Sequence, residues 1–304
     1  MEYILETINV EKKYKNFKAL NNVNMHIKKE AIYGLIGKNG AGKTTLIRII
    51  CGLQEPTSGT YILYGKNNKT KDINSIRQRI GAIIETPSIY GDMSAKDNLI
   101  LQYKLVGLPD FDNIDELLKL VDLDKTGKKK AKYFSLGMKQ RLGIAIALAN
   151  NPDFLILDEP INGLDPQGII EIRELILKLN KEKKITILIS SHYLDELSKI
   201  ATHYGFLDNG IIIKEISSKD LINKMEHRIE LTVNNQKEFV KYFEKNKISY
   251  EITDNKTIYV YGKYNLSKFI NELSKSNLIA EEVKEQEETL ESYYMNLIGG
   301  NQND

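Results

Sequence analysis

The sequence predicts an α/β domain on a largely parallel sheet, followed by a small α+β module, and three observations carry that prediction. Up to about residue 215, short β-rich runs alternate with helical patterns, the order that builds parallel sheets. Three runs, Ala31 to Ile36, Phe154 to Leu157 and Ile185 to Ile189, are almost continuously apolar, as strands covered on both faces are. Beyond Ile216 the pattern becomes strand, helix, strand, strand, helix, strand.

The first apolar strand runs straight into Gly37-Lys38-Asn39-Gly40-Ala41-Gly42-Lys43-Thr44-Thr45. Gly37, Gly42, Lys43 and Thr44 fill the template of a phosphate-binding loop. Glycines there let successive N–H groups point inward, at the N-terminus of a helix that starts near Lys43. Lys43 is placed to reach the β- and γ-phosphates, and the Thr44 hydroxyl to hold Mg²⁺. Many nucleotide hydrolases share this loop, so alone it names a nucleotide and not a task.

Between about Glu85 and Ser135 the strand pattern disappears. Ser94 to Val106 and Asp112 to Val121 carry helical apolar spacing, which reads as a helical insertion. In KYFSLGMKQRLGIAIALANNP, Ser135 can cap the next helix, leaving N–H groups and a positive dipole end toward an anion. Leu142, Ile146 and Ala149 give that helix a buried stripe. The second apolar strand ends in Asp158 and Glu159, the third in Ser190, Ser191 and His192. Ligands of open α/β sheets sit beyond the carboxyl ends of strands, so these residues and the Gly37 loop are expected to converge. A magnesium-nucleotide site needs one carboxylate near the metal and another to orient and deprotonate water. His192 is a candidate sensor of the γ-phosphate.

The last segment reads as helix to about Glu226, strand Arg228 to Val233, helix Gln236 to Asn246, and strands Ile248 to Thr253 and Thr257 to Tyr261. Helix Asn265 to Ser276, strand Ala280 to Val283 and a helix from Glu287 to Ile298 follow. That order suggests a ferredoxin-like module. The division is therefore residues 1–215 and 216–304.

Composition narrows the function. The 304 residues suffice for two domains, and 43 basic against 41 acidic residues leave a formal charge of +2, with no global field toward nucleic acid. Lys128, Lys129, Lys130 and Lys132 read as a solvated surface. Cys51 is the single cysteine, so no intrachain disulfide forms. The N-terminus lacks a signal-peptide core, and no apolar run approaches the roughly 18 residues that span a bilayer. The chain reads as cytoplasmic, with any membrane-spanning part on another polypeptide.

Taken together, these segments resemble the ATP-binding subunits of ABC transporters over about residues 2 to 215. The resemblance implies an α/β P-loop ABC-type nucleotide-binding domain, with a helical subdomain at about 86–150, plus the small C-terminal α+β, ferredoxin-like domain. It implies that GKNGAGKTT is Walker A, FLILDEP Walker B, SLGMKQ the signature motif and NGLDP the D-loop. Carried over, Glu159 is the general base, Asp158 supports Mg²⁺ and His192 contacts the γ-phosphate. Tyr14 stacks on adenine, with Phe17 nearby. Ser135 and Gly137 bind ATP held by the opposite subunit of a head-to-tail dimer, or of a paired ATPase subunit, and Asp165 communicates across it. A multi-span permease is the expected membrane partner, with the ATPase peripheral at the inner face of the cell membrane.

Two departures from the family pattern are informative. Leu136 and Met138 replace a Gly and the Gln of the usual Leu-Ser-Gly-Gly-Gln. Glu85 stands where the family has a Gln that contacts Mg²⁺ and couples to the permease, putting a carboxylate beside the metal. Glu85, YFSLGMKQRLGIA and the ending ETLESYYMNLIGG are similar to the group of bacitracin-resistance and lantibiotic-immunity ABC ATPases. That resemblance implies export of, or immunity to, peptide antibiotics. A soluble ABC-type ATPase and a nucleotide-sensing regulator are the alternatives. The chain lacks the coiled-coil insertion or second phosphate loop expected of the first, and it keeps Glu159 and His192, against the second.

Overall fold

The structure is a computed structural model that describes residues 2–224, 227–254, 256–262, 264–287 and 289–299. Its contacts divide into two compact units, Met1–Ser218 and Lys219–Asp304.

The first unit opens with a long hairpin, β1 (Tyr3–Tyr14) and β2 (Phe17–Lys28), before β3 (Ile32–Ile36) and α1 (Lys43–Ile50). β4 (Ser58–Leu63), β5 (Lys66–Asn67), α2 (Ile73–Arg77) and β6 (Ile80–Ile83) follow. The helical insertion is α3 (Ala95–Val106), α4 (Ile114–Leu120) and α5 (Leu136–Leu148). The chain then runs through β7 (Phe154–Asp158), α6 (Pro166–Lys183), β8 (Thr186–Ser191), α7 (Leu194–Ser198), β9 (His203–Asp208) and β10 (Ile211–Ser217).

These strands form two sheets. A six-stranded sheet has the order β10-β9-β3-β8-β7-β6, parallel except at β10. As the apolar runs predict, β3, β7 and β8 are buried at every position. The second sheet, β2-β1-β4-β5, is antiparallel, and the reading of a single largely parallel sheet did not foresee it. It has one covered face: Val23, Met25 and Ile27 of β2 are buried, while Asn24 and His26 between them are exposed. Leu46, Ile47 and Ile50 of α1 share one core cluster with Val23, Met25 and Ile27 from this sheet and with Leu35, Ile156 and Leu188 from the parallel one. Burial from both sheets thus fixes the helix that follows the glycine loop.

In the insertion, α3 begins where predicted, because Ser94 and Asp97 form a reciprocal capping box. The stripe of α5 differs from expectation. Leu142, Ile144, Ala145, Leu148 and Ala149 are buried, whereas Ile146 is only half-buried. Nearly the whole circumference of α5 is covered, so three residues at helical spacing understate it. Among the described residues, no helix is long and apolar enough to cross a membrane.

The second unit contains α8 (Ser218–Lys224), whose first residue belongs to the preceding unit, then β11 (His227–Thr232), α9 (Gln236–Asn246), β12 (Ser249–Ile252) and β13 (Thr257–Tyr261). It ends with α10 (Leu266–Lys275), β14 (Glu282–Glu287) and α11 (Leu290–Gly299). Its antiparallel sheet has the order β12-β13-β11-β14, the strand order of a ferredoxin-like module. Ile229, Leu231, Ile258 and Val260 pack with Phe239, Phe243, Phe269 and Leu273 in a core of their own. β14 overlaps the predicted Ala280 to Val283 but starts two residues later and runs on to Glu287, because this edge strand, Glu-Val-Lys-Glu-Gln-Glu, is almost entirely polar.

Candidate active site

The glycine loop is squeezed between neighbouring backbones. A Cβ at Gly37 would stand 2.5 Å from the Leu207 carbonyl oxygen, and one at Gly42 2.6 Å from that of Ala19. Gly42 also takes φ 110° and serves as N-cap of α1 with no side chain to occupy the first-turn N–H groups. A helix N-terminus in that state is an anion site. Lys38, Asn39 and Gly40 are exposed, whereas Lys43 is buried. Its Nζ folds across the loop, donating to the carbonyls of Gly37 at 2.6 Å and Lys38 at 3.3 Å. The same ammonium lies 3.2 Å from Glu159 Oε1.

The end of β7, separated from β3 by β8, brings the acids to this loop. Asp158 is 1% exposed, and each of its oxygens accepts a hydroxyl hydrogen bond: Oδ2 from Thr44 at 2.8 Å, Oδ1 from Ser190 at 2.5 Å. Glu159 turns out of β7 at φ 50°. Its N–H donates to the Ser190 carbonyl at 3.1 Å and to Ser190 Oγ at 3.0 Å. Its Oε2 lies 2.8 Å from His192 Nδ1. Oε1 is buried and has no hydrogen-bond partner, since the Lys43 contact is an ion pair without hydrogen-bond alignment. A carboxylate oxygen held in that state is a ready acceptor for the proton of a water. Thr44 and Asp158 offer the hard oxygen donors that Mg²⁺ takes, so the residues present fit that ion.

The remaining predicted residues stand apart from this cluster. Tyr14 lies opposite Phe17 at the end of the β1–β2 hairpin; both rings are exposed, and the Tyr14 hydroxyl donates to Gln54. Glu85 adopts φ 62°, and its Oε1 accepts from Arg48 Nη2 at 2.8 Å on the outward flank of α1. Ser135 caps α5, accepting from the Met138 N–H at 3.2 Å, with Gly137 in the first turn. Asp165 caps α6, accepting from the Gly168 N–H at 3.1 Å, with Pro166 at the first helical position. Within one chain, Ser135 and Asp165 therefore act as helix caps, on the loops expected to face a second subunit. His192, by contrast, belongs to the cluster: it is one-third exposed, with Nδ1 on Glu159 and its ring 4.2 Å from that of Tyr193.

Sequence reasoning left two residues of this region without a role. Ser190 stood only as part of a polar run; its signal was the parallel register that sets it opposite Asp158. Arg48 lies one helical turn after Thr44, on the same side of α1.

A lysine laid across a glycine loop, beside acids delivered by a parallel strand one place removed from the strand that leads into the loop, defines a P-loop nucleotide hydrolase. The antiparallel sheet and the helical insertion narrow the class to the ATP-binding cassettes. The comparisons agree, and the chain belongs to the ABC transporter family as an ATP-binding subunit, an ATPase. The family described as ABC transporter matches residues 20–162. A bacitracin transport ATP-binding protein of Enterococcus faecalis is 40% identical over 305 residues, covering 99% of this chain and 98% of its own length. A lantibiotic transport ATP-binding protein of Streptococcus pyogenes is 47% identical over 212 residues, covering 70% of this chain and 90% of its own. Among solved structures, cbiO1 of Clostridium perfringens, part of an ABC transporter complex, matches at TM-score 0.66 and 29% identity, over 74% of this chain and 92% of its own. A dimeric ATP-binding cassette in a post-hydrolysis state with ADP and Pi matches at TM-score 0.63 and 28% identity, over 70% of this chain and 98% of its own.

Proposed function

We propose that this chain is the ATP-hydrolysing subunit of an exporter that confers resistance or immunity to peptide antibiotics, working with a separate multi-span permease at the inner face of the cell membrane. The observation that carries hydrolysis is the Glu159 carboxylate, with Oε2 against His192 and Oε1 buried without a hydrogen bond. The substrate class is supported by the bacitracin transport relative, whose similarity covers 99% of this chain and so takes in residues 216–304 as well as 1–215. We assign the first segment to the ATPase and the second to an accessory domain.

In this reading the first-turn N–H groups of α1 and Lys43 bind the phosphates, and the Lys43 ammonium leaves the loop carbonyls for them. Thr44 and Asp158 would hold Mg²⁺, which would supply charge neutralisation for the phosphates. Glu159 Oε1 takes the proton of the water that attacks the γ-phosphorus; the bond to the ADP oxygen breaks, and ADP and Pi leave. His192 holds the Glu159 carboxylate before ATP arrives and turns to the γ-phosphate afterward. Tyr14 stacks on adenine. Ser135 and Gly137 meet the nucleotide of a second subunit, head to tail, with Asp165 at the seam. Support for that pairing comes from the dimeric cassette that this chain resembles. Glu85 couples the site to the permease, and Arg48 holds its carboxylate on the flank of α1.

The test is purification of the full chain with and without a co-expressed permease, scored for Mg²⁺-dependent ATP turnover. Glu159→Gln should lower turnover by at least about a hundredfold, while ATP still drives dimerisation. Near-normal turnover in that variant removes Glu159 as the base.

A further inference from the structure

The geometry points to Ser190 as a positioning residue of the ATPase site, one hydroxyl that sets both the carboxylate of Asp158 and the peptide of Glu159. The inference rests on the reading of Asp158 and Glu159 given above. β8 runs parallel to β7 in a register that puts Ser190 opposite Asp158, and Ser190 is fully buried. A serine hydroxyl has one donor proton and two acceptor lone pairs. Here the proton goes to Asp158 Oδ1 at 2.5 Å, and a lone pair takes the Glu159 N–H at 3.0 Å. The other oxygen of Asp158 accepts from Thr44, so two hydroxyls pin the carboxylate in one plane. Glu159, at φ 50°, is a non-glycine residue in the left-handed region, which persists only where neighbours hold it. Both acceptors of its N–H, the hydroxyl and the carbonyl, belong to Ser190.

Removing the hydroxyl should therefore have two separable effects. Asp158 keeps one pinned oxygen and is free to rotate, which weakens the hold on Mg²⁺. Glu159 keeps the carbonyl but loses the second acceptor, which loosens the turn that aims its carboxylate. Lys43 donates to the carbonyls of Gly37 and Lys38 and not to Ser190, so nucleotide binding without metal should be spared.

The experiment compares the full-length protein, Ser190→Ala and Ser190→Thr. Three quantities are read: steady-state kcat and KM as Mg²⁺ is varied, the Mg²⁺-dependent rise in melting temperature with ADP present, and binding of a fluorescent ATP analogue in EDTA. Ser190→Ala should lose about tenfold to a hundredfold in kcat and need more Mg²⁺ for half its thermal shift, with EDTA binding within about twofold of the parent. Ser190→Thr, which keeps the hydroxyl, should recover most of both losses. Parental kcat and Mg²⁺ dependence in Ser190→Ala overturn the inference. So does an alanine variant that melts early and loses nucleotide binding in EDTA as well, the mark of a merely structural serine. If Ser190→Thr does not fold, the three readouts on Ser190→Ala decide alone. If the parent itself has no turnover, the ATPase reading fails, and the Mg²⁺-dependent melting shift still judges Ser190.

Discussion

Glu85 and Arg48 meet at 2.8 Å with their side chains 60% and 38% exposed, whereas Lys43 and Glu159 meet at 3.2 Å with 6% and 18%. The two ion pairs therefore do different things. Water screens the first, so its contribution to stability is below about 1 kcal/mol and falls with added salt. A double-mutant cycle of Arg48→Gln and Glu85→Gln, read by denaturant unfolding at low and high salt, should return a coupling of that size; one well above it would mean a tighter, less solvated pair. The weakness suits the coupling role proposed for Glu85, because a carboxylate held by less than about 1 kcal/mol is released at little cost. Glu85→Gln should accordingly reduce tolerance to a peptide antibiotic more than it reduces ATP affinity, measured by inhibitory concentration in a host carrying the permease and by nucleotide titration. Unchanged tolerance would leave Glu85 without a coupling role. The buried pair is costly to leave half-made, so on the proposed mechanism a phosphate that takes Lys43 from Glu159 must replace what the ammonium loses.

At the level of elements, what the sequence disclosed was what a single strand or turn decides locally. β3, β7 and β8 were legible because both faces are covered, which leaves runs that are almost continuously apolar. Asp158, Glu159 and His192 were legible because each sits at the end of such a strand or just after it, and Lys43 and Thr44 because they open the helix that follows the glycine turn. The β1–β2 hairpin was not, since register shifts between Tyr3 and Leu5, Thr7 and Val10, and onward to Lys13 break the two-residue period. Ser190 needs the register between two strands, and Arg48 needs a partner from a loop distant in sequence; neither can be read from a window of one element. Helix starts fall on the legible side, and α3 gives a test. Ser94 Oγ accepts the Asp97 N–H at 3.1 Å, and Asp97 returns a bond to the Ser94 N–H at 3.3 Å, on a residue that is itself buried. Ser94→Ala should cost about 1–2 kcal/mol, seen as a lower denaturation midpoint with an unchanged slope. A loss under about 0.3 kcal/mol would mean that tertiary packing, and not the cap, sets where α3 begins.

For the molecule as a whole, buried phenols give folding a pH dependence whose sign follows from the structure. Tyr33, Tyr61 and Tyr204 are at most 2% exposed, and each has its pKa raised from the ordinary 10.0 chiefly because burial penalises the phenolate. At Tyr33, the charge of Glu215 and the hydrogen bond its hydroxyl donates to Glu215 Oε1 at 2.7 Å push the same way. At Tyr61 and Tyr204, hydrogen bonds involving Arg77 and Ser218 push back without reversing the shift. A raised pKa means that the folded state favours the protonated form. The stability so gained is complete below the unfolded value near 10 and is lost as pH climbs through it toward the folded values. The melting temperature should thus be insensitive to these groups up to about pH 9 and fall steeply above pH 10. Tyr33→Phe should melt lower than the parent at pH 8, having lost its bond to Glu215, yet show a shallower fall between pH 10 and 11. Thermal melts across pH 8–11, paired with phenolate absorbance, check both. In the native protein some of the 17 tyrosines should resist titration until unfolding exposes them. If all 17 titrate near pH 10 while the fold persists, burial does not set these phenols as argued.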